Sequence, residues 1–473
     1  MKKLFIFSAA TMLATMTFSL SAMAKDNANV IKVSAYTSDK DISTSINDAI
    51  ADAASRGNTD VHLAAGKYTV NHPIKLVSGV NLIVDPDAKI VRETNNYIVL
   101  ADENCKDVTI SGGKWDGSSK TEPLMYFEGE QIQVKDSSLD GGGIFLGGKD
   151  NKLNNIEEKG SKSVGINIRA DKAQLNNCTI RDNGNQGIVI RNRSSVKISG
   201  CNIIRNGKNK TSKGHGIGIA YDSVATISKT NISENDQCGI SLSNASTVNL
   251  IEGNTINSNG RHGIGTDSGD TVNVVKGSKF NHNGFNGISI GRGSKGNISN
   301  AEVKNNAISG ISVNDSSATI CNSKVTRNKQ YGILTNKAKV TITKSAMNSN
   351  VKYGLCSSTK SNVKVTKSKF VGNKIFGIFG QHSGTKVAVK NKCIIANNAK
   401  AGIHITNKAK LSMSNCTIEK NGSIGISLNK GGIAQNIKNN VIKNHKNCGI
   451  YRDGASMKNV KKNKISGTPL KFN

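Results

Sequence analysis

One window of the chain, between residues 191 and 292, holds three of the eight histidines together with several arginines, one tyrosine and four aspartates. Histidine or tyrosine can accept or donate a proton, and arginine can neutralise a carboxylate. Together they supply what is needed to remove the C5 proton of a uronic acid, followed by elimination in a lyase or by reprotonation in a C5-epimerase. The candidate catalytic residues are His215, His262, Tyr221 and Arg261, and the candidate substrate-binding residues are Arg191, Arg193, Asp222, Asp236, Asp267, His282 and Arg292.

The same window allows other interpretations. Glycoside hydrolysis needs two carboxyl groups, which Asp222, Asp236 and Asp267 would supply. These acids and Asp270 would also suit Ca²⁺, which prefers oxygen ligands, although their spacing forms no calcium motif and we expect no cofactor. The nine cysteines show no CxxC spacing, so no metal site is expected from them either. In a third interpretation these residues only occupy the permissive turns of a repeat, and the protein binds polysaccharide without catalysis.

A repeat runs through most of the chain. A glycine followed by isoleucine or leucine recurs fourteen times from Gly143 to Gly449, at intervals of 22 to 25 residues with one of 29. An asparagine stands four residues before most of these glycines, from Asn183 to Asn421. Such stacked asparagines can bond their side-chain amides from one repeat to the next, and asparagine tolerates the left-handed backbone of a sharp turn.

Short alternating segments within each repeat predict strands. Val196-Lys197-Ile198 and Val340-Thr341-Ile342 alternate apolar and polar residues between Asn, Gly and Ser, the pattern of half-buried strands. Three such strands fit one repeat. The sequence therefore predicts an all-β fold, a right-handed parallel β-helix of about fourteen coils and roughly 60 Å in length, with strands stacked ~4.8 Å apart.

The N-terminal region predicts an export signal and a cap. Residues 1–24 combine Lys2 and Lys3, an apolar stretch and Ala22-Met23-Ala24, which predicts a signal peptide cleaved near Ala24 and a secreted protein. Residues 41–57 predict an amphipathic helix that covers the open N-terminal end of the solenoid. We assign 25–117 to this cap and the first coils, and 118–473 to the repetitive part of the same domain.

Segments between Ile31 and Gly117 resemble the pectin-lyase-like superfamily of β-helix proteins, polygalacturonases in particular. The matching segments are the capping helix and residues 61–70, 74–82 and 108–117, while the later repeats resemble those of lyases, glycosidases and C5-epimerases. The resemblance implies a right-handed β-helix whose Gly-Ile strands line a polysaccharide groove. Fold alone does not define an activity.

One polygalacturonase motif is present and its partners are absent. Gly214-His215-Gly216 matches the G-H-G motif of that family at the expected strand. The family's paired acids should precede the glycine of the two previous coils, where this chain has Gln186 and Val164. Without these acids the sequence does not predict the polygalacturonase mechanism.

Composition favours an acidic partner. The formal net charge is +31, which attracts polyanions such as acidic polysaccharide. Aromatic residues make up only 4% of the chain, so the base-stacking surfaces used for single-stranded nucleic acid are not expected. No later segment approaches the ~20 apolar residues of a membrane span. We therefore expect a monomer that acts on acidic polysaccharide, with no nucleic acid partner.

Overall fold

The computed structural model describes residues 30–36, 41–57, 59–118, 120, 122–208 and 214–472. The predicted signal peptide, residues 1–24, lies outside the described residues. The chain winds as a solenoid in which each coil contributes one strand to each of three parallel sheets. We call these sheets 1, 2 and 3 in the order in which the chain meets them after each glycine.

Sheet 1 holds the Gly-Ile strands, and every strand pairs in parallel with the corresponding strand of the next coil. Its strands are Ile74–Lys75, Val99–Ala101, Met125–Phe127, Ile144–Leu146, Ile166–Ile168, Ile188–Ile190, Ile217–Ile219, Ile240–Leu242, Ile264–Thr266, Ile288–Gly291, Ser309–Asn314, Tyr331–Asn336, Tyr353–Ser358, Phe376–Gly380, Ala401–Ile405, Ile424–Asn429, Cys448–Asp453 and Leu470–Phe472.

Sheet 2 follows sheet 1 in each coil, and two of its first strands bend round the corner into sheet 3. Its strands are Val30–Lys32, Asp60–Leu63, Leu82–Arg92, Lys106–Asp116, Glu130–Lys135, Lys152–Asn154, Ala173–Asn176, Ser195–Ser199, Val224–Ser228, Thr247–Glu252, Thr271–Val274, Lys295–Ser299, Ser317–Cys321, Lys339–Thr343, Asn362–Thr366, Lys386–Lys390, Lys410–Ser414, Ile433–Lys438 and Ser456–Lys458.

Sheet 3 completes each coil, with a single bridge at Ala346 in place of one strand. Besides the ends of Leu82–Arg92 and Lys106–Asp116, its strands are Lys67–Val70, Ser138–Asp140, Glu157–Lys159, Thr179–Arg181, Asn202–Ile204, Asn231–Ser233, Thr255–Asn257, Lys279–Asn281, Glu302–Lys304, Lys324–Thr326, Lys369–Val371, Ile394–Ala396, Thr417–Glu419, Val441–Lys443 and Lys464–Ser466.

The solenoid is longer than the sequence predicted. Eighteen strands of sheet 1 enclose about seventeen turns, so the count of fourteen coils was too low. The sheet 1 strands of the first coils begin with Ile74, Val99 and Met125, and none of these residues follows a glycine. The Gly-Ile repeat therefore does not include these coils. At ~4.8 Å per coil, seventeen turns extend about 80 Å.

Alternation places one continuous apolar core inside the coils. In the strand Ile217–Ile219 both isoleucines are buried while Gly218 faces outward, and neighbouring strands repeat this pattern in register. Cys178 and Cys201 stack one coil apart at a corner, where the Cys178 N–H lies 3.4 Å from Cys201 Sγ. Both cysteines are buried and belong to the core.

A helix covers the N-terminal end, as predicted. It spans Ile42–Ser55 and buries Ile46, Ala49 and Ile50 against the first coils. Asp41 is its N-cap and accepts from the N–H groups of Ser43 and Thr44. None of the helices in the described part of the chain is long and apolar enough to cross a membrane.

The asparagine ladder is confirmed. Each ladder side chain donates from Nδ2 to Oδ1 of the next asparagine, for example from Asn306 to Asn328 at 3.0 Å, and Oδ1 also accepts a backbone N–H. Asn206 continues the ladder through the coil of 29 residues. The left-handed backbone belongs to the residue before each asparagine, such as Asn305 with a φ of 57°, and not to the ladder residue itself.

Candidate functional site

The outer face of sheet 1 has a floor of small residues over five successive coils. Strand register aligns Gly218, Ser241, Gly265, Ser289 and Ser312 in one outward column. Neighbouring coils are ~4.8 Å apart, so this floor is about 19 Å long. Bulkier residues occupy the same column on either side, Val189 next to Gly218 and Leu334 next to Ser312.

Two histidines stand along one edge of this floor. His215 and His262 each immediately precede the glycine that starts a sheet 1 strand, two coils apart, with Cys238 between them at the same position. His215 Nδ1 accepts the Cys238 backbone N–H at 3.1 Å, and His262 Nδ1 accepts the Asn286 backbone N–H at 3.3 Å. Each ring therefore satisfies a backbone donor of the next coil.

Burial and charge keep these imidazoles neutral. Burial, and then the charge of Arg261, lower the pKa of His215 to about 4, and the same two causes lower the pKa of His262 to about 4. Burial raises the pKa of the Cys238 thiol. Because Nδ1 of each histidine accepts a hydrogen bond, the proton of the neutral ring resides on Nε2. The rings thus present N–H donors at this edge.

Arg261 brings a cation and an aromatic ring to the same edge. Its guanidinium lies 5.9 Å from the centroid of the Phe285 ring, a cation–π distance. His262 meets Phe285 edge-on, with centroids 5.7 Å apart. Phe285 remains 43% exposed, unusual for a large apolar side chain. In the sequence only its position between two Asn-Gly pairs distinguishes Phe285, which was not among the predicted site residues.

Tyr221 and four predicted binding residues lie along the opposite edge. Tyr221 and Asp222 form the turn after the strand Ile217–Ile219, with φ of 56° at both. Tyr221 follows His215 by six positions, and the strand Ile217–Ile219 lies between them. The structure therefore does not bring Tyr221 to the histidines. Arg193 occupies the corresponding turn one coil earlier, and Asp267 and Arg292, two and three coils later, form an exposed ion pair of 2.6 Å.

Arg191 and Arg169 form a pair of like charges at the N-terminal end of the floor. Both follow a sheet 1 strand at the same position of neighbouring coils. Burial, and then the Arg169 charge, lower the pKa of Arg191. The Nε of Arg191 is buried without a hydrogen-bond partner among the described residues. The Arg169 guanidinium lies 5.7 Å from the Phe145 ring centroid. Neither arginine has an ion pair with a described carboxylate.

The remaining predicted residues lie outside the floor. Asp236 and His282 occupy the corner before sheet 1, and His282 Nε2 lies 3.1 Å from Asn305 Nδ2. Asp270 is buried, and its carboxylate accepts the backbone N–H groups of Ser246 and Asp267. Among the described residues, no three His, Cys, Asp or Glu side chains converge on a point suited to a metal ion.

Stacked rings flank the floor at both ends. Tyr97, Tyr126 and Phe145 stack with centroids 4.6 and 4.4 Å apart. Beyond the other end Tyr331, Tyr353, Phe376, Phe379 and His404 form a second stack. Adjacent rings cover each other's faces. The two stacks lie beyond the two ends of the floor along the solenoid axis.

Comparison with known proteins identifies the fold. The family model described as the right handed beta helix region matches residues 124–274, 165–318, 249–392 and 309–467, which overlap to cover most of the chain. No curated protein matches. Among solved structures, gene product 12 of bacteriophage phi29 in its pre-mature form is similar with 13% identity and a TM-score of 0.51, over 93% of this chain and 73% of that one.

Two further structures are similar at lower TM-scores. ORF18 of Geobacillus virus E2 has 13% identity and a TM-score of 0.41, over 62% of this chain, which spans only 58% of that protein's length. The A-module of the mannuronan C-5 epimerase AlgE6 of Azotobacter vinelandii has 14% identity and a TM-score of 0.31, over 93% and 99% of the two chains. With the family match covering well over half of its residues, the chain belongs to the right-handed β-helix family.

Proposed function

We propose that this protein binds an acidic polysaccharide along the outer face of sheet 1, outside the cytoplasm. The observation that carries the proposal is the pair formed by Arg169 and Arg191. Two neighbouring guanidinium groups without a carboxylate partner repel each other, and an anion between them relieves this repulsion. Guanidinium is also the side-chain group that best matches the two oxygens of a carboxylate.

The floor lies beside these cations and offers polar groups to a linear polymer. The side chains of Gln186 and His262 lie over Gly218 and Gly265, and the three serines offer hydroxyl groups to sugar hydroxyls. The Nε2–H groups of His215 and His262 add donors along one edge, and the exposed Phe285 adds an apolar contact. A carboxylate at the arginine pair and sugar rings over the floor would use both features together.

The protonation of the histidines favours binding over proton abstraction. A base must accept a proton at a free nitrogen, but Nδ1 of each ring is occupied by a backbone N–H and Nε2 already carries the proton. A conjugate acid with a pKa of about 4 is also a weak base for a C5 proton. Lyase or epimerase chemistry is the second candidate, because His215, His262 and Arg261 share one edge of the floor as its mechanism requires.

The test is titration of the protein, lacking residues 1–24, into fluorescently labelled polygalacturonate and alginate, with neutral dextran as the reference polymer. We expect binding to the acidic polymers alone, weakening as salt rises. The double variant Arg169→Gln/Arg191→Gln should lose roughly tenfold or more in affinity, since each charged contact contributes on the order of 1 kcal/mol. Arg327→Gln, which removes an exposed arginine at a different corner, is the matched control.

Two results would contradict the proposal. Equal affinity of the double variant and the wild type would exclude the arginine pair as the anion site. Ultraviolet absorbance of an unsaturated product would show lyase activity, and C5 inversion seen by NMR would show epimerase activity, in place of binding alone. Loss of that signal in His262→Gln would assign the activity to the histidine edge.

A further inference from the structure

The positive charge is concentrated in the C-terminal part of the solenoid. Residues 309–473 contain 29 Lys and Arg but only three Asp and Glu, whereas residues 1–308 contain 35 and 30. The net charge of +26 is spread over seven turns, about 34 Å at ~4.8 Å per turn. This is about one charge per 1.3 Å, similar in magnitude to the ~1.7 Å per charge of duplex DNA. Solubility of a small domain needs a net charge of only about 2–8.

Cations in the two parts of the chain have different surroundings. Before residue 309, many lysines and arginines form ion pairs with carboxylates, for example Lys89 with Asp116 at 2.9 Å and Lys159 with Asp140 at 3.3 Å. From residue 309 to 472 the structure shows one ion pair, Lys443–Glu419 at 3.3 Å. Most lysines of the C-terminal coils are therefore available to an external anion.

These lysines are densest on sheet 2. In its strands between Lys295 and Lys438 every charged outward side chain is a lysine, and further lysines occupy the corners on both sides. We call this surface the basic face. Its central members are Lys295, Lys339, Lys364, Lys386, Lys390 and Lys410. Asp315 lies in the turn before the strand Ser317–Cys321, and the strands of the basic face themselves carry no carboxylate.

Two shallow depressions lie in line on the basic face. One, of about 210 Å³, is lined by Lys295 and Lys339 together with Thr319 and Thr341. The other, of about 300 Å³, is lined by Lys386 and Lys410 together with Ser412. Each combines ammonium groups with hydroxyl groups, the donors and acceptors that a sugar carrying carboxylates can use.

We infer that the basic face is a second docking surface for acidic polysaccharide, separate from the floor on sheet 1. The inference takes the class of polymer from the proposed function, but it does not depend on the arginine pair. The basic face has no aromatic side chain among its outward strand positions, which removes base stacking as a reason to favour single-stranded nucleic acid. Its strands also present no large exposed apolar side chain that would insert into a lipid surface.

The test compares two triple variants that remove equal charge. Lys339→Gln/Lys386→Gln/Lys410→Gln changes the basic face, and Lys324→Gln/Lys369→Gln/Lys464→Gln changes exposed lysines of sheet 3 in other coils of the same C-terminal part. In titrations with labelled polygalacturonate at low salt of about 50 mM, we expect the first variant to lose roughly tenfold or more in affinity and the second to lose less than about threefold.

The Arg169→Gln/Arg191→Gln variant distinguishes this inference from the proposed function. If the basic-face variant loses affinity and the arginine variant does not, the basic face binds and the proposed sheet 1 site fails. If only the arginine variant loses affinity, the basic face is not a docking surface. Equal losses in the two lysine variants would show an effect of net charge and overturn the inference. The inference would also be overturned if the basic-face variant kept its binding to polysaccharide but lost binding to anionic vesicles or duplex DNA.

Discussion

Glu158 should make the stability of the protein fall at alkaline pH. Its side chain is fully buried in the core behind sheet 3, where Oε2 accepts from Asn183 Nδ2 at 2.7 Å and Oε1 has no partner among the described residues. Burial raises the pKa of this carboxyl to about 8, far above its ordinary value of 4.5. Glu158 is therefore protonated in the folded protein at neutral pH and ionised in the unfolded chain.

The magnitude follows from the linkage between protonation and folding. A carboxyl whose pKa is raised in the folded state contributes fully below the unfolded pKa, and this contribution is lost as pH rises through the folded pKa. The full shift corresponds to about 5 kcal/mol, and the part lost between pH 6 and pH 9 is about 3 kcal/mol. Glu158→Gln keeps an acceptor for Asn183 but cannot ionise, so it should remove this loss.

The assay is urea unfolding followed by circular dichroism at pH 6 and pH 9, for the wild type and Glu158→Gln. Hydrogen exchange of the coils around Asn183 gives a local measurement, because a solenoid can open in parts. Glu157→Gln is the control, since Glu157 is the neighbouring residue but faces outward and pairs with Arg181 at 2.6 Å. Identical pH dependence of the wild type and Glu158→Gln, by both methods, would refute the reasoning.

Two further predictions concern the other end of the ladder and the floor of sheet 1. Burial lowers the pKa of His445 to about 4, and its Nδ1 accepts the Asn421 N–H at 3.2 Å. A histidine whose pKa is lowered in the folded protein stabilises the fold at pH values above its ordinary pKa of 6.5, and this stabilisation is lost as the pH falls toward 4. The free energy of unfolding of the wild type should therefore fall by up to about 3 kcal/mol on acidification. His445→Asn, which extends the ladder, should lose less in urea unfolding at pH 7 and pH 4.5, and an equal loss would contradict the assignment. Ser289→Trp would fill the floor and should weaken binding of labelled polygalacturonate at least roughly tenfold, while Thr255→Trp, outward on sheet 3, should leave it unchanged. Unchanged binding by Ser289→Trp would show that the polymer does not lie on the floor.

Much of the fold could be predicted because its determinants are local. A coil needs a glycine where a side chain would meet the ladder, as at Gly216, where a Cβ would lie 2.7 Å from Asn235 Nδ2. It also needs an asparagine at the corner and alternating apolar residues in each strand. These requirements recur at every coil, so the repeat is visible in the sequence. The repeat does not mark coils that lack the glycine before the sheet 1 strand, such as the coil whose strand begins at Ile74.

The candidate site was only partly predictable, because its members come from different coils. His215, His262 and Arg261 were selected by residue type, and the structure places them along one edge. Tyr221 is close to His215 in sequence, but an extended strand carries it to the opposite edge. No local pattern in the sequence distinguishes Arg169. Its significance arises from its position one coil before Arg191, whose pKa its charge lowers.

The sequence by itself determined the solenoid, its register and its excess of positive charge. The tertiary structure decided which residues share a surface, since stacking brings residues about 23 positions apart to within one coil spacing, while residues on the two sides of one short strand lie at opposite edges. It also decided the protonation of Glu158, His215 and His262, because a side chain's pKa depends on burial and on neighbours that the winding of the chain supplies.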